Sequence, residues 1–329
     1  MTLLRVTGLK KYFPAARSLL DKLLARRQLY VRAVDGVSFE LREGEVLGLI
    51  GESGSGKTTT GRLVIRLLEP TDGKIEFMGR DITFASNKEL RPLRRHMQII
   101  FQDPYASLNP RHRIGEALEE PLLVNGLASK EEAKKMALEM LEKVGLRPPE
   151  DFYRRYPQQL SGGQRQRVVV ARAMMTKPKF VVADEAVSMI DVSMRVSILE
   201  LLEMFRRELG LSMLFITHDI AVGKLVCDRI AVMYLGKIVE IGPTREVIRN
   251  PKHPYTRALL DAVPSITRRK RERKVVLKGE IPSPINPPSG CRLHPRCPFA
   301  TPECSREEPK LVKVGENHYV ACHHPLNAE

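Results

Sequence analysis

The sharpest chemistry in this chain lies in eight residues, Gly51-Glu52-Ser53-Gly54-Ser55-Gly56-Lys57-Thr58, which match the spacing GxxxxGK[ST]. Gly51, Gly54 and Gly56 let backbone N–H groups turn inward around an anion, with Ser53 and Ser55 in the same turn. A helix opening there adds its positive N-terminal end. Lys57 supplies a point charge for the β- and γ-phosphates of a nucleoside triphosphate, and the Thr58 hydroxyl can ligate Mg²⁺, with Thr59 next in line. The competing reading is a Gly-rich turn with a chance lysine. It fits poorly beside the apolar run Glu45–Ile50 before the loop and the helix-like Thr59–Leu68 after it.

A phosphate loop needs an acidic partner for the metal. Phe180-Val181-Val182-Ala183-Asp184-Glu185 provides one. Asp184, ending a strand, can hold Mg²⁺ through its water shell. Glu185 can orient and deprotonate an attacking water. His218, in Thr217-His218-Asp219, has the γ-phosphate or that water as its candidate partner. Taken alone, the acidic pair reads as a strand cap and the histidine as structural. The phosphate loop gives them weight.

These groups need rigid elements. Glu45–Ile50, Lys179–Ala183 and Ser212–Ile216 are short apolar runs ending at glycine or polar residues, as buried parallel strands do. Ser129 to Val144 reads as a helix. Ser129 and Glu132 form a capping box, Ala133, Met136, Ala137, Met140, Leu141 and Val144 share a face, and Gly145 and Pro148 stop it. The pattern predicts an α/β fold with a mostly helical insertion over about residues 105–175.

A further motif, Leu160-Ser161-Gly162-Gly163-Gln164, resembles the signature sequence of ABC-type ATPases. The resemblance covers about residues 1–262 and implies a P-loop ABC ATPase nucleotide-binding domain with a helical subdomain. It also implies roles for single residues. Ser161, Gly162, Gly163 and Gln164 would serve the γ-phosphate of a nucleotide held by the other subunit. Gln102, in Phe101-Gln102-Asp103-Pro104, looks like the loop glutamine that senses nucleotide and Mg²⁺ and touches the transmembrane partner. Asp191 falls at the family's conserved loop aspartate and His218 at its switch histidine. Tyr12 falls where an aromatic ring stacks on adenine, with Phe13 as the nearby alternative. One stretch departs from the family: Ala186-Val187-Ser188-Met189-Ile190-Asp191 stands where Pro-Thr-Ser-Ala-Leu-Asp is usual. The changes fall mainly on apolar packing positions and bear on communication between two ATP sites more than on hydrolysis.

The last 67 residues hold ten of the 23 prolines and read as a separate module, residues 263–329, small and irregular. Asn250-Pro251-Lys252-His253-Pro254-Tyr255 resembles the His-Pro-Tyr motif of dipeptide/oligopeptide importer ATPases. Cys291, Cys297, Cys304 and Cys322 follow at C-x5-C-x6-C-x17-C. Four thiolates suit a 4Fe–4S cluster or Zn²⁺. The wide spacing favours the cluster, and the resemblance implies it. Cys227, alone in an apolar segment, reads as a buried hydrophobe. The basic run Arg268–Lys274 reads as a solvated linker, with anionic headgroups as the weaker alternative.

The whole-chain figures are 329 residues, 43% apolar, 28% charged and net charge +15. They exclude a disordered or collagenous chain. No apolar run reaches the roughly 18–20 residues a membrane span needs. With no secretory segment and five cysteines, the expectation is a cytoplasmic protein, peripheral on the membrane's inner face. The family resemblance implies a second, related ATPase subunit, two transmembrane permease subunits and, indirectly, an extracytoplasmic solute-binding protein. Its expected cargo is di- or oligopeptides, with an oligosaccharide or other solute as alternative. The charge invites a rival class, a nucleic-acid-associated ABC ATPase. The coiled coils, second ATPase domain or inserted zinc modules of that class are not visible here, so no nucleic-acid partner is expected.

Overall fold

The computed structural model describes residues 1–15, 29–188, 190–263 and 274–327. Most of the basic run 268–274 lies outside them, as does Met189 of the departing stretch. The strands are β1 (Thr2–Pro14), β2 (Tyr30–Arg42), β3 (Val46–Ile50), β4 (Asp72–Phe77), β5 (Arg80–Asp81), β6 (Met97–Ile100), β7 (Phe180–Asp184), β8 (Ser212–Thr217), β9 (Arg229–Tyr234), β10 (Lys237–Pro243), β11 (Val312–Gly315) and β12 (His318–Val320). They belong to two compact units. One is built from residues 1, 42–45 and 85–216, the other from 2–41, 46–84 and 217–329.

In the first unit β6, β7 and β8 run parallel, with Met97 opposite Phe180 and Phe180 opposite Ser212. Every residue of β7 and β8 is buried. That is why their sequences are unbroken apolar runs, not alternating ones. Each large apolar side chain there contributes about 1.5–3 kcal/mol by burial. The helix predicted from Ser129 spans Lys130–Lys143. The Ser129 N–H donates to Glu132 Oε2 at 2.8 Å, and the Glu132 N–H returns to Ser129 Oγ at 3.3 Å. Ala133, Ala137 and Leu141 form its buried stripe, and Gly145 takes the left-handed conformation that ends it. Helices Asn87–Arg94, Ile114–Val124, Pro149–Arg154, Gly162–Met174 and Val192–Leu209 are this unit's other helices of six residues or more among the described residues.

In the second unit β3 is buried throughout and runs parallel to β9, Leu47 opposite Arg229. Gly48 keeps this strand flat, because a Cβ there would stand 2.7 Å from Cys227 Sγ. Cys227 is buried at the end of helix Ile220–Val226, as a small hydrophobe would be. A separate sheet has the order β2-β1-β4-β5. The tail differs from the irregular appendage its composition predicts. β12 pairs antiparallel with β10, Glu240 opposite Val320, and β11 pairs with β12. Strands of three and four residues are too short to show a period in sequence. The edge of β10 specifies them.

Candidate functional site

The phosphate loop leaves β3 and closes on itself. Lys57 is buried, and its Nζ donates to the carbonyl oxygens of Gly51 and Glu52, each at 2.8 Å, and to Ser55 Oγ at 3.3 Å. Two glycines are obligatory: a Cβ on Gly51 would meet Met233 O at 2.1 Å, and one on Gly56, at φ +103°, would meet Ala33 O at 2.1 Å. Ser53 and Gly54 are exposed, and Thr58 and Thr59 are half-buried. The helix that follows, Lys57–Val64, has no side-chain cap and no acidic residue in its first turn. The positive end of its dipole therefore meets no side-chain charge of its own and suits an anion.

In the same unit, the Tyr12 hydroxyl donates to Asp35 Oδ1, and the Arg32 guanidinium lies 5.7 Å from the ring centre. Burial, then the Asp35 hydrogen bond, pushes the Tyr12 phenol up to about 12. Phe13, the alternative, carries Lys11 at 5.1 Å from its ring. His218 is exposed. Next to it Asp219 caps helix Ile220–Val226, accepting from the Ala221 N–H at 2.8 Å.

In the first unit, Asp184 is almost fully buried at the end of β7. Glu185 follows with φ +49°, a left-handed conformation that costs a non-glycine residue about 1 kcal/mol. It is held there because the Glu185 N–H donates to Ile216 O, and the Ser188 N–H and hydroxyl both donate to Glu185 O, all at 3.0 Å. That geometry delivers the Glu185 carboxylate to Gln102, whose Nε2 donates to Glu185 Oε2 at 3.0 Å. The two residues lie 83 apart in sequence and meet directly.

Ser161 caps helix Gly162–Met174 by a reciprocal pair. The Gln164 N–H donates to Ser161 Oγ at 3.3 Å, and the Ser161 N–H donates to Gln164 Oε1 at 3.0 Å. No acidic residue follows in the first turn, and the space beside Gly162 is open. This second helix end is also built for negative charge. Asp191 is exposed at the start of helix Val192–Leu209, and its carbonyl accepts from Met194 and Arg195. In the departing stretch Ala186, Val187 and Ile190 are buried.

The four tail cysteines form no disulfide. Burial pushes the Cys291 thiol up to about 11 and the Cys322 thiol up to about 12, and it raises Cys297 too. Backbone amides, that of Leu293 for Cys291, Phe299 for Cys297 and His324 for Cys322, oppose part of that rise. Among the described residues, no three His, Cys, Asp or Glu side chains are grouped as a single metal ion requires.

Several residues of this region carry no motif of their own. Asp35 receives both Tyr12 and Arg292. The Tyr255 hydroxyl accepts the Glu52 N–H at 2.8 Å. Gln166 Nε2 donates to Ala186 O at 2.7 Å. Glu240, fully buried, accepts from the backbone of Lys252 and His253 and bonds His318 Nε2 at 2.7 Å. The available signal was weak: Asp35, Glu240 and Gln166 are polar residues inside otherwise apolar surroundings.

The parallel α/β core, the phosphate loop and the capped Ser-Gly-Gly-Gln turn define a P-loop ATPase of the ABC class. Residues 34–188 match the family model described as ABC transporter. Residues 239–304 match the one described as oligopeptide/dipeptide transporter, C-terminal region. The chain is 47% identical to the dipeptide transport ATP-binding protein DppF of Haemophilus influenzae, covering 98% of this chain and 96% of that one. It is 46% identical to the oligopeptide transport ATP-binding protein AppF of Bacillus subtilis, over 98% and 97%. A dimeric ATP-binding cassette solved in a post-hydrolysis state with ADP and Pi superposes with TM-score 0.64. It is 30% identical and covers 74% of this chain and 99% of its own. The chain belongs to the ABC transporter family, as an ATP-hydrolysing subunit of the dipeptide/oligopeptide importer branch. No helix among the described residues is long and apolar enough to cross a membrane.

Proposed function

We propose that this chain powers the import of di- or oligopeptides from the inner face of the membrane. In this reading it works as one half of a nucleotide-sandwich dimer with a related ATPase subunit, beneath two permease subunits served by a solute-binding protein. The observation that carries the reading is the joint presence, along one chain, of the phosphate loop and the C-terminal region of the oligopeptide/dipeptide family. We assign residues 1–262 to the nucleotide-binding domain and 263–329 to the family's extension.

The phosphate loop binds the triphosphate through backbone N–H groups, and Lys57 shifts from its loop carbonyls to the β/γ-phosphate oxygens. Tyr12 stacks on the adenine. Thr58 and Asp184 are hard oxygen donors of the kind Mg²⁺ takes, and the ion would neutralise charge on the phosphates when bound. Glu185 takes a proton from the attacking water at its carboxylate while Gln102 orients that carboxylate, and His218 contacts the γ-phosphate. Ser161, Gly162, Gly163 and Gln164 act on the nucleotide of the facing subunit, and Asp191 links the two sites. Catalysis is positioning and charge stabilisation.

We assign the four cysteines to a 4Fe–4S cluster, with Zn²⁺ as the alternative. The support is the four-thiol donor set and its C-x5-C-x6-C-x17-C spacing within a family-matched tail. Anaerobic purification with iron, sulfide and zinc analysis decides it; zinc without iron overturns the cluster. The transport reading is tested by reconstituting the chain with the subunits that co-purify with it from membranes and measuring ATP-dependent peptide uptake. ATP hydrolysis coupled to uptake of sugars but not peptides overturns the cargo.

A further inference from the structure

The cysteine module does more than end the chain. Residues 290–297 form one wound turn: the Cys291 N–H donates to Cys304 O at 2.8 Å, His294 to Cys291 O at 3.0 Å and Cys297 to Leu293 O at 2.9 Å. Gly290 is required, since a Cβ there would stand 2.4 Å from Cys304 O. Leu293 is buried beneath the turn. This short turn carries two of the four thiols, and beside them two buried arginines, Arg292 and Arg296.

Both arginines leave the module and grip the nucleotide site. Arg296 Nη1 reaches Glu52 Oε2 at 2.9 Å, Nη2 reaches Oε1 at 3.5 Å, and the Tyr234 hydroxyl lies 3.4 Å away. Glu52 is the second residue of the phosphate loop. It is pinned at three atoms: its N–H by Tyr255, its carbonyl by Lys57 and its carboxylate by Arg296. Arg292 donates to Asp35 and to the carbonyl of Leu235, and Asp35 in turn accepts from Tyr12. Next to Leu235, the Gly236 N–H donates to Ser55 O at 2.8 Å. The Arg292–Asp35 pair is largely shielded from solvent, while in the Arg296–Glu52 pair the arginine is buried and Glu52 is part-exposed, so both are screened less than a surface pair would be. One eight-residue turn thus reaches the adenine side of the site through Arg292 and the phosphate side through Arg296.

We propose that Arg292 and Arg296 are positioning residues for ATP, which make nucleotide affinity depend on the intact cysteine turn. By linkage, bound ATP must hold that turn in place by the same factor. The inference rests on the ATP-site reading above but not on what the cysteines hold.

The test uses the full chain with a fluorescent ATP analogue. Arg296→Gln and Glu52→Gln are each expected to weaken binding about fivefold or more, and the double variant no further, because they break one contact. Arg292→Gln is expected to act similarly, and Arg296→Lys to recover part of the loss. KM for ATP should rise while kcat stays within about twofold, as lost ground-state positioning requires. The second readout is backbone hydrogen exchange over residues 290–297, followed by peptide mass spectrometry without Mg²⁺, which does not depend on what the thiols hold. ATP should slow exchange in the unaltered chain about fivefold or more and do so less in Arg296→Lys. The exchange comparison decides the matter if the glutamine variants do not fold. An unaltered chain that binds no ATP overturns the ATP-site reading and this inference with it. Variants that bind ATP like the unaltered chain, additive losses in the double variant, or a turn whose exchange is indifferent to ATP overturn the inference alone.

Discussion

At the residue scale, the Gln102–Glu185 contact is the most informative geometry in the first unit. A carboxylate serving as base must be held, and here one amide donor holds it at 3.0 Å while a strained backbone aims it. Glu185→Gln keeps the shape and removes the base. Turnover is expected to fall at least about a hundredfold, the usual worth of a positioned base, with ATP binding kept. Near-normal steady-state hydrolysis by that variant would remove Glu185 from the role. Gly56→Ala is a different kind of change. It forces a Cβ against Ala33 O at 2.1 Å from a backbone at φ +103°. It should cost about 2 kcal/mol or more and abolish nucleotide binding, read by chemical denaturation and analogue titration. Both residues were legible in the sequence, because a phosphate loop and a strand-end acidic pair are local patterns imposed by local chemistry. The Gln102–Glu185 contact itself was not, since 83 residues separate the partners and only the fold brings them together.

At the element scale, the helix Pro254–Ala262 is held by His253, whose Nδ1 accepts the Tyr255 N–H at 3.1 Å. That histidine is buried, and burial drives its pKa down from 6.5 to about 4, against the pull of Glu240 upward. Its folded pKa lies below its unfolded one. The stability it contributes is therefore present above pH 6.5 and is lost as pH falls toward about 4. The expected slope is at most about 1 kcal/mol per pH unit in that window. His253→Asn keeps an acceptor at the cap and removes the titration, so it should flatten that part of the stability profile. An unchanged pH profile in urea melts would exclude His253 as the source. The His-Pro-Tyr sequence was visible beforehand. Its physical work was not: His253 caps, Pro254 opens the helix, and Tyr255 reaches back 203 residues to the phosphate loop. Periodicity reads a helix and its caps but does not name a hydroxyl's distant partner.

At the scale of the whole molecule, the proline-rich tail reads as an appendage, yet the fold builds it into the second unit. Composition records how little regular structure the tail has, not what that structure touches. β12 covers the edge of β10, Val320 and Leu293 are buried, and Arg292 meets Asp35 across 257 residues. Glu240 depends on the tail as well, because His318 bonds a carboxylate with no exposure to water. Ending the chain before residue 274 would therefore do three things at once. It would open a strand edge to other chains, leave Asp35 without its buried cation, and take from Glu240 one of its three partners. The truncated chain is expected to lose several kcal/mol of stability, to associate on warming, and to bind ATP poorly even though the phosphate loop and every residue before 263 remain. His318→Leu separates these causes, since it disturbs Glu240 alone. It should lower the melting temperature without moving ATP affinity. A truncated chain that stays monodisperse and binds ATP as the full chain does would make the tail the detachable module its composition suggests.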